Sequence, residues 1–166
     1  MSYKCKTCGE THDDLQDIGF QYPDYYFGIP EDERESRIDT GTDLCVIDDE
    51  YYFIRGVIYI PIHDYEHDFG IGVWVSQKKE NFEQYVENPD TSDIGPFFGW
   101  LSNNIPFYSE DTVSLKTMAH FQGNNSRPLI EIDECEHKIY NDYSKGILLD
   151  EAWEMVHWNA SDDENA

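Results

Sequence analysis

The run Tyr51 to Ile62 constrains this chain most, because it is apolar on both parities of an extended strand. Phe53, Val57, Tyr59 and Pro61 fall on one side, and Tyr52, Ile54, Ile58, Ile60 and Ile62 on the other. A half-solvated strand alternates apolar and polar residues, whereas one covered on both faces does not. Two neighbours extend the pattern. Asp43 to Ile47 precedes it across Asp48-Asp49-Glu50, and Ile71 to Ser76 follows after the polar turn from His63 to Gly70. Three such runs predict a meander. Gly95 to Leu101, Val113 to Phe121 and the alternating Pro128 to Asp133 read as further strands.

Helical spacing is confined to short stretches. Pro30 to Arg37 has a proline and an acidic first turn, Lys78 to Asn88 places Phe82, Tyr85 and Val86 on one face, and Leu148 to Trp158 places Leu149, Trp153 and Val156 in register. The expected fold class is α+β: a mostly antiparallel sheet with a few helices and an N-terminal zinc-knuckle-like segment. The 166 residues suit one domain over 1–160, with the knuckle at 1–12 packed on it and 161–166 as a disordered acidic tail.

Charge restricts function more than fold. Thirty-five Asp and Glu face eleven Lys and Arg, a formal net charge of −24. Solubility alone favours a magnitude of roughly 2 to 8 in a small domain. The excess is spread along the chain, so the whole surface is negative. Such a field repels phosphate backbones and anionic membranes and speeds encounter with basic proteins. The partner expected is therefore a basic protein, with no direct nucleic-acid binding and no membrane. Salt adaptation or simple solubility is the competing explanation. No apolar leader follows Met1 and no window reaches the length of a membrane span, so a cytoplasmic location is expected.

Cys5-Lys6-Thr7-Cys8-Gly9 is the most specific local motif: two thiolates two residues apart can chelate one zinc ion, with the glycine letting the backbone turn beneath them. His12 and Cys45 are the candidate third and fourth ligands, and Cys135 with His137 forms an alternative pair. Cys45, inside an apolar strand, reads equally as a core residue. A redox role would need the motif to open a helix after a strand, and that context is missing. Zinc held by four protein ligands would be structural.

Arg127, Glu131 and His137 form a second constellation. Arg127, Leu129 and Glu131 share one face of a strand, and His137 follows its end, so one reading is an acid and base pair beside an anion-holding arginine. The structural alternative is an Arg127–Glu131 ion pair and a structural histidine. Arg55 interrupts an apolar strand and is expected in an internal salt bridge. His63 and His67 share helical spacing in a segment without helical signals. Nucleotide-binding glycine loops and the hydrolase nucleophile elbow are absent from the sequence.

The ordered pieces Cys5-x-x-Cys8-Gly9-x-x-His12, Cys45-Val46-Ile47-Asp48, Phe53-Ile54-Arg55-Gly56, Ile60-Pro61-Ile62, Gly72-Val73-Trp74-Val75-Ser76, Gly95-Pro96-Phe97-Phe98-Gly99-Trp100-Leu101, Arg127-Pro128 and Glu136-His137 resemble the bacterial family called domain of unknown function 2199. The resemblance covers nearly the whole chain. It implies a single domain with a knuckle-like N-terminus and brings no activity with it. The chain departs from the family pattern after His137, where it reads Lys138-Ile139-Tyr140-Asn141-Asp142-Tyr143, and in its extreme acidity.

Two functions follow as expectations. The first is a non-enzymatic acidic protein that captures a basic partner, in the manner of an immunity or antitoxin-like protein, with a structural zinc. The second is a small enzyme using Arg127, Glu131 and His137.

Overall fold

A computed structural model describes residues 15–88, 90–124 and 126–165, with side chains to 158, together with the backbone of 3–4 and 11–12. At the N-terminus β1 (Tyr3–Lys4) pairs antiparallel with β2 (Thr11–His12). There follow β3 (Ile18–Gly19), α1 (Asp24–Phe27), a 3-10 turn (Glu31–Glu33), α2 (Arg34–Arg37), β4 (Ile38–Thr40) and β5 (Leu44–Ile47). The centre is β6 (Tyr51–Ile60) and β7 (Phe69–Gln77), then α3 (Lys79–Glu87). β8 (Phe97–Trp100), β9 (Lys116–His120), β10 (Leu129–Ile132), α4 (Lys138–Lys145) and α5 (Leu149–Asn165) complete the order.

β6 and β7 form a long hairpin in register from Tyr52 opposite Gln77 to Ile60 opposite Phe69. Each of its outer edges is shared by two partners. On β6, Leu44 to Ile47 of β5 pairs with Tyr51 to Ile54, and β10 takes Val57. On β7, β3 pairs with Ile71 and Gly72, while the chain beyond β8 reaches Val75 through a bridge from Leu101 and a Ser102 N to Trp74 O bond of 2.8 Å. Since β8 pairs with β9 and β9 with β10, strands β6, β7, β8, β9 and β10 close a ring.

The ring encloses the main core. Ile54, Ile58 and Ile60 of β6 meet Ile71, Val73 and Val75 of β7, Ala119 of β9 and Ile130 and Ile132 of β10, with Phe82, Ile139 and Met155 supplied by the helices. The opposite parity of β6 behaves differently along its length. Phe53 joins Cys45, Ile47, Ile29 and Trp74 in a small second core, whereas Tyr59 is exposed. The run with two apolar faces is therefore buried on both sides only in its first half.

The sheet is mixed, which corrects the expectation of a mostly antiparallel one: β10 lies parallel to β6, and β3 parallel to β7. Parallel neighbours need long crossovers, and both pairs have them, through residues 61–128 and 20–68. The β5-β6-β7 meander is present. The expected zinc-knuckle segment is not shown, because Cys5 and Cys8 lie outside the described residues.

Candidate binding cleft

The turn between β5 and β6 places Asp48 and Asp49 at φ 57° and 51°, with Glu50 N bonded to Ile47 O at 3.1 Å. Positive φ at both central residues is the turn whose twist suits a hairpin, and aspartate tolerates it better than branched residues do. Asp48 also takes both Arg37 Nε and Nη2 at 2.7 Å, and that hydrogen bonding holds its carboxyl below the usual range. Glu50 and Tyr51 are thereby set in the lining of a cleft.

The cleft has a volume of about 510 Å³ and lies where the start of β6, the end of β7 and the exit from β8 converge. Its walls are aromatic. Tyr25 from α1 packs on Tyr51 with ring centroids 4.7 Å apart and on Phe53 at 6.3 Å, while Trp100, 44% exposed, forms another side. The Tyr25 hydroxyl, followed by the charge of Glu50, raises the Tyr51 phenol above its ordinary value, so it stays neutral at physiological pH. Asp24 and Glu50 contribute carboxylates to the lining.

Asn103 wires α1 to this position. Fully buried, it accepts from Trp74 N at 2.8 Å through Oδ1, and its Nδ2 donates to Tyr22 O at 2.9 Å and Asp24 Oδ1 at 3.2 Å. Asp24 Oδ2 accepts from Asn104 N at 2.8 Å, and Asp24 N donates to Ser102 O at 2.9 Å. A buried amide with all these bonds made is a strong positioning device, since leaving one unmade costs about 1–3 kcal/mol. Sequence reading missed Tyr25, Gln77 and Asn103 because they lie in loops, helix turns and strand ends that converge only in space. Trp100 lies in the Gly95 to Leu101 run, which reads in sequence only as a strand.

The residues expected to carry catalysis are engaged separately. Arg127 Nε donates to Asp43 Oδ1 at 2.8 Å, and Glu131 Oε1 meets His120 Nε2 at 2.9 Å. His137 caps α4: its Nδ1 accepts from Ile139 N at 3.0 Å, while Nε2 contacts Glu110 O at 3.0 Å, so Nε2 carries the proton. Among the described residues no hydrogen bond or ion pair joins Arg127, Glu131 and His137 to one another. His120 and Glu131 border a hollow of about 240 Å³ with Tyr143.

Of the expected metal ligands, Cys5, Cys8 and the side chain of His12 lie outside the described residues. Cys45 is buried against Ile29, Ile47, Phe53 and Trp74, and burial pushes its thiol pKa up, which disfavours the thiolate a metal needs. Among the described residues no group of three or more His, Cys, Asp and Glu is placed to hold a metal. Arg55 donates Nη1 to Thr42 O at 3.2 Å and lies 5.9 Å from the Trp74 ring centroid, and its expected ion pair is not among those between described residues. His63 bonds Lys145 O at 2.8 Å, whereas His67 lies beside Glu66.

Among the described residues no helix is long and apolar enough to cross a membrane. A family model described as an uncharacterized protein conserved in bacteria, DUF2199, matches residues 4–147. No curated protein and no solved structure matches the chain.

Proposed function

The chain belongs to the DUF2199 family of uncharacterized bacterial proteins, a membership that carries no activity, and from its surface we propose that it is a non-enzymatic acidic protein that captures a basic protein partner, as an immunity or antitoxin-like protein does. The observation that carries this reading is the aromatic cleft beneath Asp24 and Glu50 on a chain of net charge −24. Interfaces draw most of their affinity from a few aromatic and arginine anchors, while charge chiefly accelerates encounter. Tyr25, Tyr51 and Trp100 supply exposed anchors, and the carboxylates around them supply the field. The separate engagement of Arg127, Glu131 and His137 in structural contacts supports a binding role over the enzymatic one.

The experiment is capture from the native cell at low salt, followed by association kinetics of the recovered protein at two ionic strengths. Raising salt from about 50 to 300 mM should slow association by about tenfold or more and change dissociation little, because exposed charges are screened beyond roughly 8–10 Å. A salt-independent association rate, or a recovered partner without a basic surface, removes the reading.

Within the same proposal the N-terminus holds a structural zinc through Cys5 and Cys8. Supporting it are the spacing of the two cysteines and the β1–β2 ladder, which pairs Tyr3 with His12 and so brings the ends of the Cys-containing segment together. Elemental analysis should find about one zinc per chain, lost in the double Cys5→Ser, Cys8→Ser variant and retained in Cys45→Ser. Zinc retained by the double variant sinks the assignment.

A further inference from the structure

Gln77 is 8% exposed, ends β7 and lines the cleft. Its Nε2 donates to Ser76 O at 2.8 Å and Phe98 O at 3.2 Å, which fixes the amide with the nitrogen toward those carbonyls. Its Oε1 is buried and among the described residues has no hydrogen-bond partner. Turning the amide over would set its oxygen against two carbonyl oxygens, so the orphan cannot be relieved that way. Gly99 holds the arrangement: a β-carbon there would collide with Ser76 O and stand 2.8 Å from Gln77 Nε2.

A buried acceptor without a donor is costly, and proteins tolerate one chiefly where something else supplies the donor. The ligand's chemistry follows from what surrounds it. An apolar group would leave Oε1 unpaired, and an anion would be repelled by Asp24 and Glu50. A lysine ammonium meets the charge but has no plane to lay on Trp100 or Tyr51. A guanidinium has five N–H donors in a flat fork, stays charged, and stacks on aromatic faces. Both Asp24 oxygens already accept one protein hydrogen bond each, and a carboxylate oxygen has a second acceptor position.

We propose that the cleft is an arginine receptor: one arginine side chain of the basic partner enters it, stacks against Trp100 and is neutralised by Glu50 and Asp24, and a small displacement of the Gln77 side chain opens the buried Oε1 to its N–H donors. This rests on the capture reading above and names the partner's anchoring group.

The test is calorimetric titration of the full chain with a hexa-arginine and a hexa-lysine peptide at about 150 mM salt, repeated on Trp100→Ala and Gln77→Met. The arginine peptide should bind at least about fivefold tighter than the lysine peptide, and that preference should shrink to less than about twofold in each variant. Trp100 is largely at the surface, so its variant reports even if Gln77→Met folds poorly. A preference that survives in Trp100→Ala overturns the receptor, because it then comes from carboxylates elsewhere. Equal binding of the two peptides to the native chain overturns the receptor and leaves acidic capture standing. Binding of neither also overturns the receptor, and acidic capture is then decided by the salt dependence of association.

Discussion

Gly56 sits in mid-strand on β6, where a β-carbon would come 2.5 Å from Ile130 Cδ1 and 2.8 Å from Pro128 O. The second contact is with backbone, and Val57 N already donates to that carbonyl at 3.0 Å, so β10 cannot retreat without breaking the bond that docks it on β6. Gly56→Ala should therefore destabilise the fold by about 2–3 kcal/mol, read as a lower midpoint in urea unfolding. A change below 0.5 kcal/mol would show that β10 shifts freely. The sequence does not reveal why a glycine stands at 56 in an apolar run, since Ile130 is seventy-four positions away. The same distance problem hid Asn103 and Gln77. Their roles depend on neighbours contributed by Trp74, Tyr22 and Phe98, none of which a local window contains. Glu131 illustrates the converse: its strand position was legible, but its partner is His120 on the adjacent β9 and not His137.

α4 was not expected from the sequence, although Ile139 and Tyr143 stand four apart and face inward. The sign was obscured by Asp142, which shares that side and is 3% exposed. A buried carboxylate must be paired and bonded, and this one is: Tyr108 Oη donates to Oδ2 at 2.8 Å, and Lys138 Nζ lies 3.0 Å from the same oxygen. The bond ties the loop after Asn103 to α4. Burial, and then the hydrogen bond to Asp142, push the Tyr108 phenol far above its ordinary value near 10. The folded state keeps the proton where the unfolded chain releases it. Stability from this group is thus whole below about pH 10 and declines as the pH rises further. Tyr108→Phe should cost about 1–2 kcal/mol at pH 7 and make the loss of stability above pH 10 shallower by about one proton. Urea unfolding at pH 8, 10 and 11 reads both effects. An unchanged alkaline slope would mean that Tyr108 ionises in the folded state as readily as in the unfolded one. Patterned runs are legible whether strand or helix: β6, β7 and β10 lie within two residues of their sequence ranges and α3 within one, because the periodicity is intrinsic to each run, whereas the short β3, β4 and α1 carry no such pattern. The parallel or antiparallel sense of the strands depends on crossovers, which patterning does not encode.

For the molecule as a whole, 35 acidic against 11 basic side chains leaves at least 24 carboxylates that cannot each have a Lys or Arg of their own. Some cations are committed to close pairs, as Arg37 is to Asp48 and Arg127 to Asp43. The remaining like charges repel across a small surface, and compactness brings them closer than the unfolded chain does. Screening should relieve the folded state more than the unfolded one. Raising sodium chloride from about 20 to 300 mM is expected to lift the melting temperature by about 2–6 °C, the shift that 1–2 kcal/mol produces in a domain of this size. Attractive pairs work in the opposite direction, but exposed ones contribute at most about 1 kcal/mol each and are outnumbered. A flat or falling melting temperature would mean that the carboxylates are spaced so that repulsion is negligible, and the charge would then need no compensation on binding. The sign also separates two roles for the same field. Salt should stabilise the free protein while it slows capture of a basic partner, whereas a chain whose acidity serves only solubility should show the first response without the second. Measuring both on one preparation, with Asp48-Asp49-Glu50 neutralised to Asn-Asn-Gln in a parallel sample, assigns the effect to the β5–β6 turn beside the cleft if that change alone removes about half of the salt dependence of association.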